Sequence, residues 1–362
     1  MTPQENNNYL DDYANQPEKP PTKKKFPKTL IIIVLILIIS SGAFFITRNS
    51  SSSLNLFSNK SDSLSAEDNS NYNFIASQLK SGKITIGDVT EFYSKEATRT
   101  IKIKAGIVDF VDSSLEKAVR NQIDKTEGII FEDDISSISK LDASDYSISN
   151  LEGIQLLKNI KELDLSKNYI NNLTSLTNLE KLTILNLDNN RLESVSTLKS
   201  LTQLNELQIN NNFIKDISNI DKLTNLTSLS LSGNQISDLS PIKSLTKIKV
   251  LDLSDNNITS IKKLAENSNL TSLYLYNNQI EDIESLQNMT KLTTLVIYDN
   301  NITNLSPLEY ITSLTELDLN DNLIKDIKPI KKLRKLDKLS ISRNPISDYS
   351  VLDNLTISEI HQ

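Results

Sequence analysis

Tyr274, Tyr276, Val296 and Tyr298 form two pairs 22 residues apart, with Leu275 and Ile297 standing between the members of each short alternating run. Alternation with a buried aliphatic residue puts all four on one face of adjacent strands. A tyrosine offers a broad ring and a hydrogen-bonding tip, so the chemistry of such a patch is recognition of a macromolecule. Asp252, Glu316 and Asp318 flank it on the same face. They would orient a partner that presents basic or hydroxyl groups. The competing reading is that cross-strand tyrosine pairs merely stabilise a sheet, at about 0.2–1 kcal/mol each.

Catalytic chemistry is poorly served. The chain has 362 residues, no cysteine and one histidine, His361. That removes disulfides, cysteine nucleophiles, thiolate metal sites, a lipidated cysteine and any triad or metal site built on imidazoles. Asp255 and Asp299 sit at strand ends, but no loop of alternating acidic ligands closes with a glutamate, so no metal is assigned. No cofactor is expected, and no enzyme. Lys and Arg number 39 against 46 Asp and Glu, a net charge of −7, which disfavours phosphate-neutralising binding to nucleic acid.

The elements that must position the tyrosines are legible as a repeat. The phrase Leu163-Asp164-Leu165-Ser166-Lys167-Asn168 recurs every 22 residues, with its asparagine at Asn168, Asn190, Asn212, Asn234, Asn256, Asn278, Asn300, Asn322 and Asn344. Leu141-Asp142-Ala143 opens a degenerate earlier copy in which Tyr146 replaces the asparagine. The alternating half of each unit predicts a short strand, and one strand per unit predicts a parallel sheet of ten strands, about 45–50 Å long. The asparagines form a structural column whose amides satisfy backbone groups where each coil turns. In the second half, apolar residues three apart, such as Ile236, Leu239, Ile242 and Leu245, suit 3₁₀ or irregular turns. Pro241, Pro307 and Pro329 share one phase there. An open sheet of that length has no small-molecule cleft, so no small-molecule substrate is expected.

The pattern L-x-x-L-x-L-x-x-N-x-I-x-x-I-x-x-L at a 22-residue period resembles the internalin-like class of leucine-rich repeat proteins of bacterial surfaces. The resemblance covers residues 107–362 and implies an α/β leucine-rich repeat solenoid. Its curved parallel β-sheet lines the concave face, 3₁₀ or irregular turns the convex face, and a short helical cap the N-terminal end. Residues 107–140 fit that cap. Ser113-Ser114-Leu115-Glu116 reads as a capping box, followed by Leu115, Ala118, Val119, Gln122 and Ile123 at helical spacing. The array then occupies residues 141–362.

The N-terminal part reads as an address. Residues 1–28 have the composition of a disordered tail ending in Lys23, Lys24, Lys25 and Lys28. Leu30 begins an uncharged apolar run that ends at Ile46, so residues 29–47 are expected to form a single transmembrane helix in the lipid bilayer. The lysines before it and the lone Arg48 after it place the tail in the cytoplasm and the array outside. The alternative is a signal peptide cleaved near Ala43, which releases the array. Residues 48–70 read as a serine-rich linker and residues 71–106 as a short stalk or cap extension. The functional expectation is a membrane-anchored recognition protein that holds a protein or glycan on its concave face. The alternative is a scaffold of the bacterial envelope with no foreign ligand.

Overall fold

A 22-residue unit cannot bury its apolar face alone, so successive units must stack. The computed structural model describes residues 106–362. The tail, the apolar segment, the serine-rich linker and residues 71–105 lie outside the described residues. Among the described residues no helix is long and apolar enough to cross a membrane.

The described residues open with β1 (Ile107–Val108), α1 (Ser113–Gln122), β2 (Ile130–Phe131) and α2 (Glu132–Ile135). One strand per coil follows: β3 (Lys140–Asp142), β4 (Glu162–Asp164), β5 (Ile184–Asn186), β6 (Glu206–Gln208), β7 (Ser228–Ser230), β8 (Val250–Asp252), β9 (Ser272–Tyr274), β10 (Thr294–Val296), β11 (Glu316–Asp318), β12 (Lys338–Ser340) and β13 (Glu359–His361). β1 and β2 pair antiparallel, and β3 to β13 form one sheet of 11 strands in sequence order. The neighbours β10 and β11 are parallel. From β3 to β12 each residue pairs with the one 22 positions on, as Leu251 does with Leu273.

Inside every coil the two strand leucines and the aliphatic residues of the convex turn meet in a continuous core; Leu251, Leu253, Ile258, Ile261 and Leu264 are each 0% exposed. The convex turns are short 3₁₀ segments such as Ser240–Ser244 and Ser306–Tyr310, and Pro241 and Pro307 stand in their first turn, where a missing N–H costs nothing.

Three details depart from expectation. The sheet has one strand more than the repeat count gave: β13 pairs Ile360 with Leu339, a step of 21 residues. The preceding 3₁₀ turn ends in an extended Leu355, with φ −116° and ψ 144°, so the coil closes one residue early. The N-cap of α1 is Asp112, not Ser113: its carboxylate accepts from the Ser114 N–H at 2.9 Å. Glu116, freed from the expected capping box, pairs with Arg120 one turn on at 2.7 Å. Gln122 faces solvent, while Leu115, Ala118 and Val119 cover the end of the core.

Candidate functional site

From β4 to β12, each strand ends by turning on a residue with positive φ placed just before the column asparagine. Asp255, Asn277, Asp299 and Asp321 hold φ of 52–54° at this position. Short polar side chains tolerate the left-handed region best, which explains why Asp, Asn and Gly crowd there. The column asparagine then ties its own coil to the one before it. Asn278 Nδ2 donates to the carbonyls of Leu253, Leu275 and Tyr276, and its Oδ1 accepts from the Ile258 N–H. Asn300 repeats the pattern on Leu275, Ile297 and Tyr298, with Ile280 as its donor. The residues carrying the tyrosine rings are therefore fixed from behind.

The cross-strand rows on the concave face can be read from the register. Asp252, Tyr274, Val296 and Asp318 occupy one row across β8 to β11. Two residues on, Tyr276 and Tyr298 lie face to face, with ring centroids 4.7 Å apart and planes 2° from parallel. That separation matches the strand spacing of about 4.8 Å, so the sheet itself sets the stack. Tyr274, Tyr276, Val296 and Tyr298 are all half-buried. The sequence-predicted residues thus fall together: the four apolar members form one patch, Asp252 and Asp318 close its row at both ends, and Glu316 lies beyond Thr294 in the neighbouring row.

The carboxyls bounding the patch are electrostatically unsettled. Burial pushes Asp252 above the ordinary carboxylate value against the backbone N–H of Ser254, and Asp255 adds to the rise. Burial likewise raises Asp318, helped by Asp321 and Glu316. The Tyr276 phenol is raised by burial and by Asp252 and Asp255; Tyr298 is raised by burial, Tyr276, Asp255 and Asp318.

Sequence reasoning missed a second acidic row. Asp255, Asp299 and Asp321 stand beside the stack, and the Asn277 Nδ2 joins this row by donating to Asp255 Oδ1 at 2.6 Å. The signal was present: they occupy the left-handed position, which points them to the same rim in every coil. Among the described residues no group of three or more acidic, His or Cys side chains could hold a metal ion.

Residues 224–266, 268–310 and 312–354 match the family described as Leucine Rich repeats (2 copies). No curated protein matches the chain. Among solved structures, internalin C2 from Listeria monocytogenes is 32% identical, with a TM-score of 0.56, over 60% of this chain and 94% of that one. The functional domain of InlJ from Listeria monocytogenes, which includes a cysteine ladder, is 27% identical with a TM-score of 0.61, over 68% of this chain and 54% of that one. The LRR ectodomain of the plant membrane receptor kinase GASSHO1/SCHENGEN3 from Arabidopsis thaliana, solved in complex with Casparian strip integrity factor 2, is 25% identical with a TM-score of 0.51, over 57% of this chain and 27% of that one. Taken with the 22-residue register, the asparagine column and the cap, these matches show that the chain belongs to the internalin-like leucine-rich repeat proteins.

Proposed function

We propose that the chain is a membrane-anchored cell-surface recognition protein that binds a protein partner through the concave face of its repeats, centred on Tyr274, Tyr276, Val296 and Tyr298. The observation that carries the reading is the stacked Tyr276–Tyr298 pair, half-buried beside Tyr274 and Val296 on a face whose other positions are mostly Ser, Asn, Gln and acids. Rigid aromatic rings lose little entropy on binding and supply most of the contact energy where they occur at interfaces. The solved complex of the plant ectodomain with its integrity factor gives the fold a precedent for holding a protein ligand. Anchoring rests on the uncharged run from Leu30 to Ile46 with lysines before it, and on the serine-rich composition of residues 48–70 that would tether the array.

The test uses the full chain in its own cells, with a photo-crosslinking residue placed at Thr294 on the concave face or at Lys262 on the convex turn. Protein adducts should form from position 294, should be absent from position 262, and should vanish when Tyr276 and Tyr298 are both replaced by Ala. Adducts that survive the double replacement would sink the reading. Protease shaving of intact cells should remove the array and spare the tail; an array that stays protected would overturn the anchoring.

A further inference from the structure

We propose that the element the patch receives is a lysine or arginine side chain, laid against the Tyr276–Tyr298 stack by an extended segment of the partner; this rests on the reading that the concave face binds a protein. Two stacked rings leave two outer faces, and the negative face of an aromatic ring attracts a cation placed over it. The surroundings of the stack select the sign of the occupant. Across the strand-and-rim positions of five successive coils, residues 228–233, 250–255, 272–277, 294–299 and 316–321, there are six carboxylates and no lysine, arginine or histidine. The six are Asp252, Asp255, Asp299, Glu316, Asp318 and Asp321. One forms an ion pair: Asp321 with Arg343 of the next coil, whose charge also acts on Asp299 and Asp318, as His361 acts on Asp318.

Geometry concentrates these charges on the rings. Asp252 and Asp318 stand in the same cross-strand row, three strands apart, about 14 Å at the usual strand spacing. That gap is filled by Tyr274 and Val296, which are neutral and half-buried. Asp255 and Asp299 border the stack on the rim side. A cation over the rings is therefore met by carboxylates on both sides of the row and along the rim, in a setting dry enough that burial raises Asp252 and Asp318. Partly desolvated attraction of this kind is stronger than its surface equivalent. An anionic or purely apolar segment would leave the burial of Asp252 and Asp318 offset chiefly by the backbone N–H groups of Ser254 and Asn320. A single extended strand fits the site, because a curved parallel sheet presents its rows at a spacing that side chains of an extended chain can match.

The probe is a six-residue oligo-arginine peptide, compared with an oligo-citrulline peptide of equal length, titrated against the full chain in detergent. Oligo-arginine should bind and oligo-citrulline should not. Replacing Tyr276 and Tyr298 by Leu, with every acid retained, should weaken oligo-arginine binding about five- to tenfold, the range of a partly desolvated cation–aromatic contact. The pair Asp252→Asn/Asp318→Asn should weaken it at least as much. The charge-matched control Asp216→Asn/Asp238→Asn, on the convex side, should leave it unchanged. Equal weakening by the control, or no effect of the tyrosine replacements, would show general attraction to an acidic protein and overturn the proposal. Urea midpoints within error of the parent chain confirm that each variant is folded. The crosslinking test separates the two claims. Adducts lost with the tyrosines but indifferent to Asp252→Asn/Asp318→Asn would retain the binding face and reject the cationic occupant. A concave face that gives no adduct would reject both.

Discussion

Asn300 Nδ2 donates to the Tyr298 carbonyl oxygen at 3.1 Å, so the residue that closes one coil also holds the backbone of the outer ring in the stack. The same side chain takes the N–H of Ile280, a fully buried residue, at 2.9 Å. Asn300→Ala should therefore strand a buried donor and cost about 1–3 kcal/mol in equilibrium urea unfolding. Asn344→Ala, whose bonds are only part-buried near the last strand, should cost less because water can replace the lost partner. Equal losses at the two positions would show that the column does not act through burial.

Asn267 breaks the convex core. Its equivalents 22 residues before and after are Leu245 and Met289, yet Asn267 is 0% exposed and its Oδ1 has no hydrogen-bond partner. Its Nδ2 reaches the carbonyls of Ile242 and Leu245 at 3.2 and 3.0 Å. Both carbonyls already accept backbone N–H groups, from Leu245 and Ile248. Asn267→Leu should raise stability by about 1–2 kcal/mol, since an unpaired buried acceptor is replaced by a side chain the column accommodates. A thermal midpoint below that of the parent chain would mean that the amide is needed where it stands.

Most of the solenoid was legible because a strict period carries it. Leucine at a 22-residue step fixes the register of neighbouring strands, and the column asparagine fixes where each strand must turn. What escaped depends on conformations that periodicity does not encode. β13 was missed because Ile360 follows Leu339 by 21 residues, a shortening set by the extended backbone of Leu355. Ser113 and Glu116 match a capping box, but Asp112 wins the cap because its second oxygen also binds the first repeat. Tyr274, Tyr276 and Tyr298 were visible as outward-facing aromatics. The rim acids were read one at a time as strand ends, since their shared orientation comes from a positive φ that the residue types only hint at.

Gly233 occupies the left-handed position with φ 67°, and a Cβ built there would lie 2.3 Å from Asn211 Oδ1 on the preceding coil. Gly233→Ala combines a backbone penalty of about 1–2 kcal/mol with that clash. The clash involves a side chain, so it can be removed separately. Asn211→Gly/Gly233→Ala should lose less stability than the two single changes added together, with a coupling of about 0.5–2 kcal/mol in a double-mutant cycle. Strict additivity would show that the amide of Asn211 simply moves aside.

Asp112 joins the cap to the array, and its ionisation gives the joint a pH signature. One carboxylate oxygen accepts from Ser114 at 2.9 Å, while the other accepts from the backbone N–H groups of Ser149 and Asn150 at 2.8 and 3.0 Å. Burial alone would raise this carboxyl; the N–H donors of Ser149, Asn150, Ser114 and Leu115 together outweigh it and hold the group below its ordinary value of 3.8. Because the folded state favours the ionised form, the contribution is fully present above pH 3.8 and fades as the pH falls through the lower, folded value. Asp112→Ala should cost about 1–3 kcal/mol at neutral pH, the sum of a lost cap and lost bonds to the first repeat. Asp112→Asn should cost less, because its Oδ1 still caps Ser114 while its amide cannot accept from Ser149 and Asn150. Measured by urea unfolding, the gap between the parent chain and Asp112→Ala should hold constant from neutral pH to just above pH 3.8 and narrow only below it. A gap that widens on acidification would reverse the sign of the linkage and exclude the ionised carboxylate as the clasp.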